Sequence, residues 1–131
     1  MNAQNLDRLC AEFGWQIARQ VHAALKKQAE NHITKSLGVL QEDGVYAFFL
    51  YQASRKSEKA GADKLGEQAA QLLSRLSLLP TGTSNTEKAL EAIRKPAGLA
   101  DNLDQLLLAK RLLEQVLIYA RYHAKALEGT Q

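Results

Sequence analysis

The end of the chain places the strongest constraint on the fold, because its apolar residues recur at every third or fourth position from Leu103 to Leu127. This spacing places them on one face of an α-helix. It predicts a final helix of about seven turns that begins near Asp101. A second apolar flank widens the stripe and includes Leu108, Leu112 and Val116. So wide a stripe predicts either a helix at the centre of a bundle or a flank that is partly exposed and meets another subunit.

The first part of the chain shows the same helical spacing. Apolar positions between Leu6 and Leu25 predict a first helix that runs to about Ala29. The segment from Ile33 to Leu40 repeats at helical spacing for a shorter distance and predicts a short second helix.

A third helix is predicted from Val45 onward, with Val45, Phe48 and Phe49 directed inward. Asp43 precedes it and is expected to serve as its N-cap or a first-turn residue. Gly61 is expected to end this helix.

The remaining segments complete an all-helical pattern. Residues 64–79 resume helical spacing, residues 80–86 form the best loop candidate, and Asn85 or Thr86 can cap a further short helix. The composition favours Leu and Ala, and only 6% of the residues are aromatic, which is typical of helices and unlike strands. We therefore predict an all-α fold, a single compact bundle of about five or six helices that spans residues 1–131.

The residues that carry chemistry are scattered. His22, His32 and His123 lack the spacing of a metal motif or of a catalytic pair. The acidic pair Glu42 and Asp43 is explained by helix capping, and no glycine-rich phosphate loop is present. We therefore expect no catalytic residues, no bound metal, no cofactor and no small-molecule substrate.

The compartment can be predicted from cysteine use and from the start of the chain. The lone Cys10 has no partner for an internal disulfide, and we expect it to pack in the core. The N-terminal residues lack a signal-peptide pattern, and no apolar stretch is long enough to span a bilayer. These features predict a cytoplasmic protein with no membrane contact.

Two basic segments could contact nucleic acid. The net charge of +3 permits such binding without requiring it. The first segment contains Arg55 and Lys56, followed by Lys59 and Lys64. The second, residues 119–125, combines Tyr119 with Arg121 and Lys125 in a pattern suited to stacking and phosphate contact. Solvated helix ends, and tyrosines half in the core, would explain the same residues without RNA.

Taken from end to end, the chain resembles the small helical subunit of the type III-B CRISPR effector, the Cmr RNA-guided complex. The resemblance rests on the opening helix with Phe13 and Trp15, on ITKSLGVLQEDGVYAFFLY at residues 33–51, and on the closing helix. In that closing helix Tyr119 takes the aromatic position and Arg121 the basic one. Cys10 stands where the family tends to carry a basic residue, and Val45 replaces the usual Leu.

The resemblance implies a non-catalytic subunit that stacks beside the guide-binding backbone and helps to hold target RNA. Its implied partners are the other Cmr subunits, further copies of itself, and the crRNA–target RNA duplex or the target strand. The candidate RNA contacts are Arg55, Lys56, Arg121 and Lys125, with help from Lys26 and Lys27; the candidate protein interface is the flank of Leu108, Leu112 and Val116. The alternative is a helical homo-oligomeric interaction module that does not bind nucleic acid.

Overall fold

A computed structural model describes residues 3–129 of the chain, with the side chains of residues 5–129. It confirms the all-α prediction, and these residues form no strand. The six helices are α1 (Ala3–Leu25), α2 (Ala29–Asp43), α3 (Val45–Ser54), α4 (Lys59–Arg75), α5 (Thr86–Arg94) and α6 (Leu103–Gly129). Short 3-10 turns at Lys26–Gln28 and Leu99–Asp101 join α1 to α2 and precede α6.

Helices α1 and α6 run side by side in the same direction and form the largest helix contact of the bundle. The thiol of Cys10 donates to the carbonyl oxygen of Leu112, and Gly14 lies against Tyr119 further along both helices. Helix α6 also packs along α2, and α1 also packs along α4. Because α6 has neighbours on two sides, it buries the wide apolar stripe that its sequence carries from Ala109 onward.

The core confirms several predicted inward positions. Val45, Phe48 and Phe49 are buried, with the two phenylalanine rings in an edge-to-face contact at 5.0 Å between centroids. Cys10 is also buried, as predicted. This burial raises the pKa of its thiol to about 11, so the thiol stays protonated and packs as a small apolar group.

Two helix ends differ from the prediction in the first half of the chain. Helix α1 ends at Leu25 instead of Ala29, because Lys26 adopts a left-handed conformation with φ of 54° and turns the chain into α2. Asp43 is the last residue of α2 and does not cap α3. Gly44, with φ of 97°, occupies the N-cap position and no side chain caps the helix.

The predicted end of α3 at Gly61 is also wrong. Helix α3 ends at Ser54, and Gly61 lies inside α4, where a Cβ atom would come within 2.5 Å of the side chain of Leu25. Because Gly61 has no side chain, Leu25 at the end of α1 packs directly against the backbone of α4. Lys59 therefore begins α4 and does not lie in the last turn of α3.

The links around α5 follow the prediction more closely. Helix α4 ends at Arg75, four residues before the predicted end, because Ser77 turns the chain with φ of 62°. The side chain of Asn85 caps α5 by accepting a hydrogen bond of 2.9 Å from the backbone N–H of Lys88, as predicted.

Candidate nucleic-acid interface

Two turns of the chain bring basic residues from distant positions to one end of the bundle. The first turn joins α1 to α2 and carries Lys26 and Lys27, and the second joins α3 to α4. Because Leu25 contacts Gly61, the end of α1 lies against the start of α4, next to the second turn. We call this surface the basic end, and it consists of Lys26, Lys27, Arg55, Lys56 and Lys59.

Arg55 of the basic end is held by two neighbouring side chains. Its guanidinium carbon lies 4.2 Å from the centroid of the Tyr51 ring, and its Nη2 atom donates to the hydroxyl of Ser54 at 3.1 Å. A cation held over an aromatic face loses less side-chain freedom when it binds an anion. Lys26, Lys27 and Lys56 are exposed. The basic end therefore combines one positioned guanidinium with three free lysines.

Acidic residues balance part of this charge. Lys59 forms an ion pair of 2.9 Å with Asp63, the only ion pair within residues 3–129. Glu58 is held as a carboxylate, since the hydroxyl of Ser57 donates to it at 2.7 Å and this bond lowers its pKa. Lys59 therefore has less charge to offer an external anion than the other four cations of the basic end.

Arg121 and Lys125 lie on a different surface. Both belong to α6, where the alignment of Gly14 with Tyr119 places Lys125 about 9 Å short of Lys26 along the bundle, at 1.5 Å per residue. The guanidinium carbon of Arg121 lies 5.4 Å from the ring centroid of Tyr122, which is 61% exposed. We call the side chains of Arg121, Tyr122 and Lys125 the α6 strip, which presents an exposed aromatic ring beside the guanidinium of Arg121.

The predicted protein interface on α6 needs correction. Leu108 is 44% exposed, but Leu112 is only 8% exposed and Val116 is fully buried. The expectation that all three are partly exposed is therefore wrong for Leu112 and Val116. These two residues face the core because α6 is packed by both α1 and α2.

The exposed apolar surface of α6 lies nearer its start. Leu103 is 67% exposed and Leu107 is 50% exposed, and both precede the first buried residue of the helix, Ala109. The sequence pattern did not separate these residues from the core, because all belong to one continuous apolar stripe.

His32 belongs to a buried hydrogen-bond network. His32 is buried and its Nε2 donates to Oε1 of Gln52 at 2.9 Å, while Nε2 of Gln52 donates to Ser36 and Ser36 donates to the carbonyl of His32. The ring also stacks on Tyr51, at 5.9 Å between centroids. Burial lowers the pKa of His32 and favours its neutral form. This network supports Tyr51 and, through it, Arg55.

His123 contacts Trp15 edge to face at 5.3 Å between ring centroids. Among the described side chains, no group of three or more His, Cys, Asp or Glu residues could hold a metal ion. None of the described helices has the length and apolar character needed to cross a bilayer.

Sequence reasoning missed the side chains that orient Arg55. The contact of Arg55 with Tyr51 joins residues one helical turn apart, and the spacing of aromatic and basic residues in residues 51–55 was the available signal. The support from His32 crosses 20 positions and leaves no local pattern.

Comparisons with known proteins give no match for this chain among protein-family models, curated proteins or solved structures.

Proposed function

We propose that this protein is the non-catalytic small subunit of a type III-B CRISPR (Cmr) effector and helps to hold target RNA beside the guide-binding backbone in antiviral defence. The observation that carries the proposal is the basic end, where the turn that carries Lys26 and Lys27 lies next to the turn that carries Arg55 and Lys56, about thirty positions away in the chain. An RNA backbone is a repeating polyanion, and such a cluster of cations is suited to contact several of its phosphates.

The proposed contact is electrostatic and does not depend on the base sequence. Lysine ammonium groups contact phosphates as point charges, and the guanidinium of Arg55 can bind phosphate oxygens in pairs. The α6 strip would contribute further phosphate contacts through Arg121 and Lys125 and a stacking surface through Tyr122. A few such contacts bind weakly in one copy, so useful affinity would come from several copies along one strand.

The proposal also draws on the resemblance of three segments to the Cmr small subunit. The all-helical fold is compatible with that resemblance, and the closing helix carries Tyr119 and Arg121 at the matching positions. Under this proposal the partners are the other Cmr subunits, stacked copies of this chain and the target strand or its duplex with crRNA. The protein would act in the cytoplasm, where such a complex meets its target.

The test is retention of target RNA by a complex assembled from the type III-B subunits and this protein. We expect Arg55→Glu/Lys56→Glu and Arg121→Glu/Lys125→Glu to co-purify with the complex and to lower RNA retention across unrelated sequences alike. The matched control is Arg94→Glu/Lys95→Glu, an exposed basic pair at the end of α5. Failure of the wild-type protein to enter the complex, or unchanged retention by both variants, would contradict the proposal.

A second candidate function is a helical homo-oligomeric module that binds protein and no nucleic acid. The exposed Leu103, Leu107 and Leu108 favour it, because contiguous apolar side chains on a surface often mark a protein contact. The two functions differ in one respect that can be measured. Only the first requires that charge reversal at the basic end weaken RNA binding.

A further inference from the structure

An apolar groove with basic edges runs along the first half of α1. Its lining residues include Arg8, Leu9, Ala11, Glu12, Trp15 and Arg75. Trp15, the one tryptophan of the chain, is 36% exposed there. A neighbouring apolar cavity shares Arg75 and is lined also by Leu6, Leu76, Leu78 and Leu108. We call the two together the α1 groove.

The charged residues of the α1 groove differ in whether they have a hydrogen-bond partner. Arg8 and Arg75 are exposed, and neither forms a hydrogen bond or ion pair with the side chains that the structure describes. Glu12, by contrast, accepts a hydrogen bond of 3.1 Å from Gln16. The groove therefore presents two cations beside an apolar floor, which is complementary to a segment with acidic and large apolar side chains.

The start of α6 is a segment of that kind. Leu103 is 67% exposed and Leu107 is 50% exposed, and the two residues lie one helical turn apart. Asp104 lies between them, is exposed, and has no hydrogen bond or ion pair with the described side chains. Asp101 precedes them and accepts a hydrogen bond from the backbone of Ala97, which fixes the turn before the helix.

We infer that the start of α6 in one copy of this chain docks into the α1 groove of a second copy. Leu103 and Leu107 would lie against the apolar floor, and Asp104 would pair with Arg75. This inference rests on the stacking of copies in the proposed function and names the surfaces that make the contact.

The contact is expected to be weak in the isolated protein. Two or three leucines bury less surface than the interfaces of stable dimers, so association should require high micromolar to millimolar protein. In an array the same contact would repeat between neighbouring copies, and its effect would add to that of RNA binding.

The test is sedimentation of the full chain from micromolar to millimolar concentration without RNA, with Trp15 fluorescence recorded over the same range. We expect self-association and a concentration-dependent change in Trp15 emission. Arg75→Asp and Asp104→Arg should each weaken association by about tenfold or more, because each places like charges opposite one another. The double variant Arg75→Asp/Asp104→Arg should recover association, since the pair is restored with its signs exchanged.

Lys88→Asp, a charge reversal of the same size on α5, is the matched control and should leave association unchanged. A protein that remains monomeric at millimolar concentration, or a double variant without recovery, would overturn the inference. So would a Trp15 response to uridine-rich RNA or to a Glu/Leu peptide without any response to protein concentration. Because no basic-end residue is changed, these outcomes are independent of the test of RNA retention.

Discussion

Substitution of Gly14 by alanine tests the close contact between α1 and α6 that sets the architecture. A Cβ atom at Gly14 would lie 2.7 Å from Cβ of Tyr119 and 3.0 Å from the carbonyl oxygen of Val116. Neither neighbour is the flexible end of a side chain, so the two helices would have to move apart. Overpacking of this kind costs about 1–3 kcal/mol.

Gly38→Ala is the matched control for this change. Gly38 lies within α2, and a Cβ atom there would have no heavy atom within 4 Å. Both substitutions gain about 1 kcal/mol from the higher helix propensity of alanine. The difference between the two variants therefore isolates the steric cost at Gly14.

We expect Gly38→Ala to raise the free energy of unfolding by about 1 kcal/mol relative to the wild type. The free energy of unfolding of Gly14→Ala should be about 1–3 kcal/mol lower than that of Gly38→Ala. Urea denaturation followed by far-UV circular dichroism measures both values. Equal stabilisation by the two substitutions would refute the close approach of α1 and α6.

Three further predictions concern single side chains. Because burial lowers the pKa of His32 below its ordinary 6.5, the unfolded chain takes up the proton first, so stability should be full above that pH and decline below it. When the pH is lowered, the melting temperature of His32→Gln should fall less than that of the wild type. An equal fall in the two proteins would exclude His32 as the cause. Because Leu112 is buried and Leu107 is half exposed, Leu112→Glu should lower the free energy of unfolding by several kcal/mol or prevent folding, whereas Leu107→Glu should leave the fold intact. Circular dichroism of the two variants measures their helix content, and equal helix content and stability would contradict this difference. Asn85→Ala should cost about 1 kcal/mol in urea denaturation through loss of its cap on Lys88, and an unchanged midpoint would show that this cap has no effect.

The sequence predicted the helices because each buries one periodic face, as Val45, Phe48 and Phe49 do in α3. It misplaced helix ends where tertiary contact determines them. Gly61 has the chemistry of a helix terminator, yet it lies inside α4 because Leu25 packs against it. Periodicity also could not distinguish Leu108 from Leu112, since their exposure depends on how far α1 and α2 extend alongside α6.

The candidate interface was predicted in part. Local clusters such as Arg55 and Lys56 are visible in the sequence, but their proximity to Lys26 and Lys27 depends on the packing of α1 against α4. The network of His32, Ser36 and Gln52 joins positions 16 and 20 residues apart and could not be derived from spacing.

The most direct test of the central proposal is the salt dependence of single-stranded RNA binding by Lys26→Gln/Lys27→Gln. Each lost phosphate contact should reduce the slope of log affinity against log salt by about 0.7, and two contacts by about 1.4. Arg94→Gln/Lys95→Gln, which removes the same charge at the end of α5, should keep the wild-type slope. We expect the reduced slope only in the first variant. Equal slopes in both variants and the wild type would contradict RNA binding at the basic end.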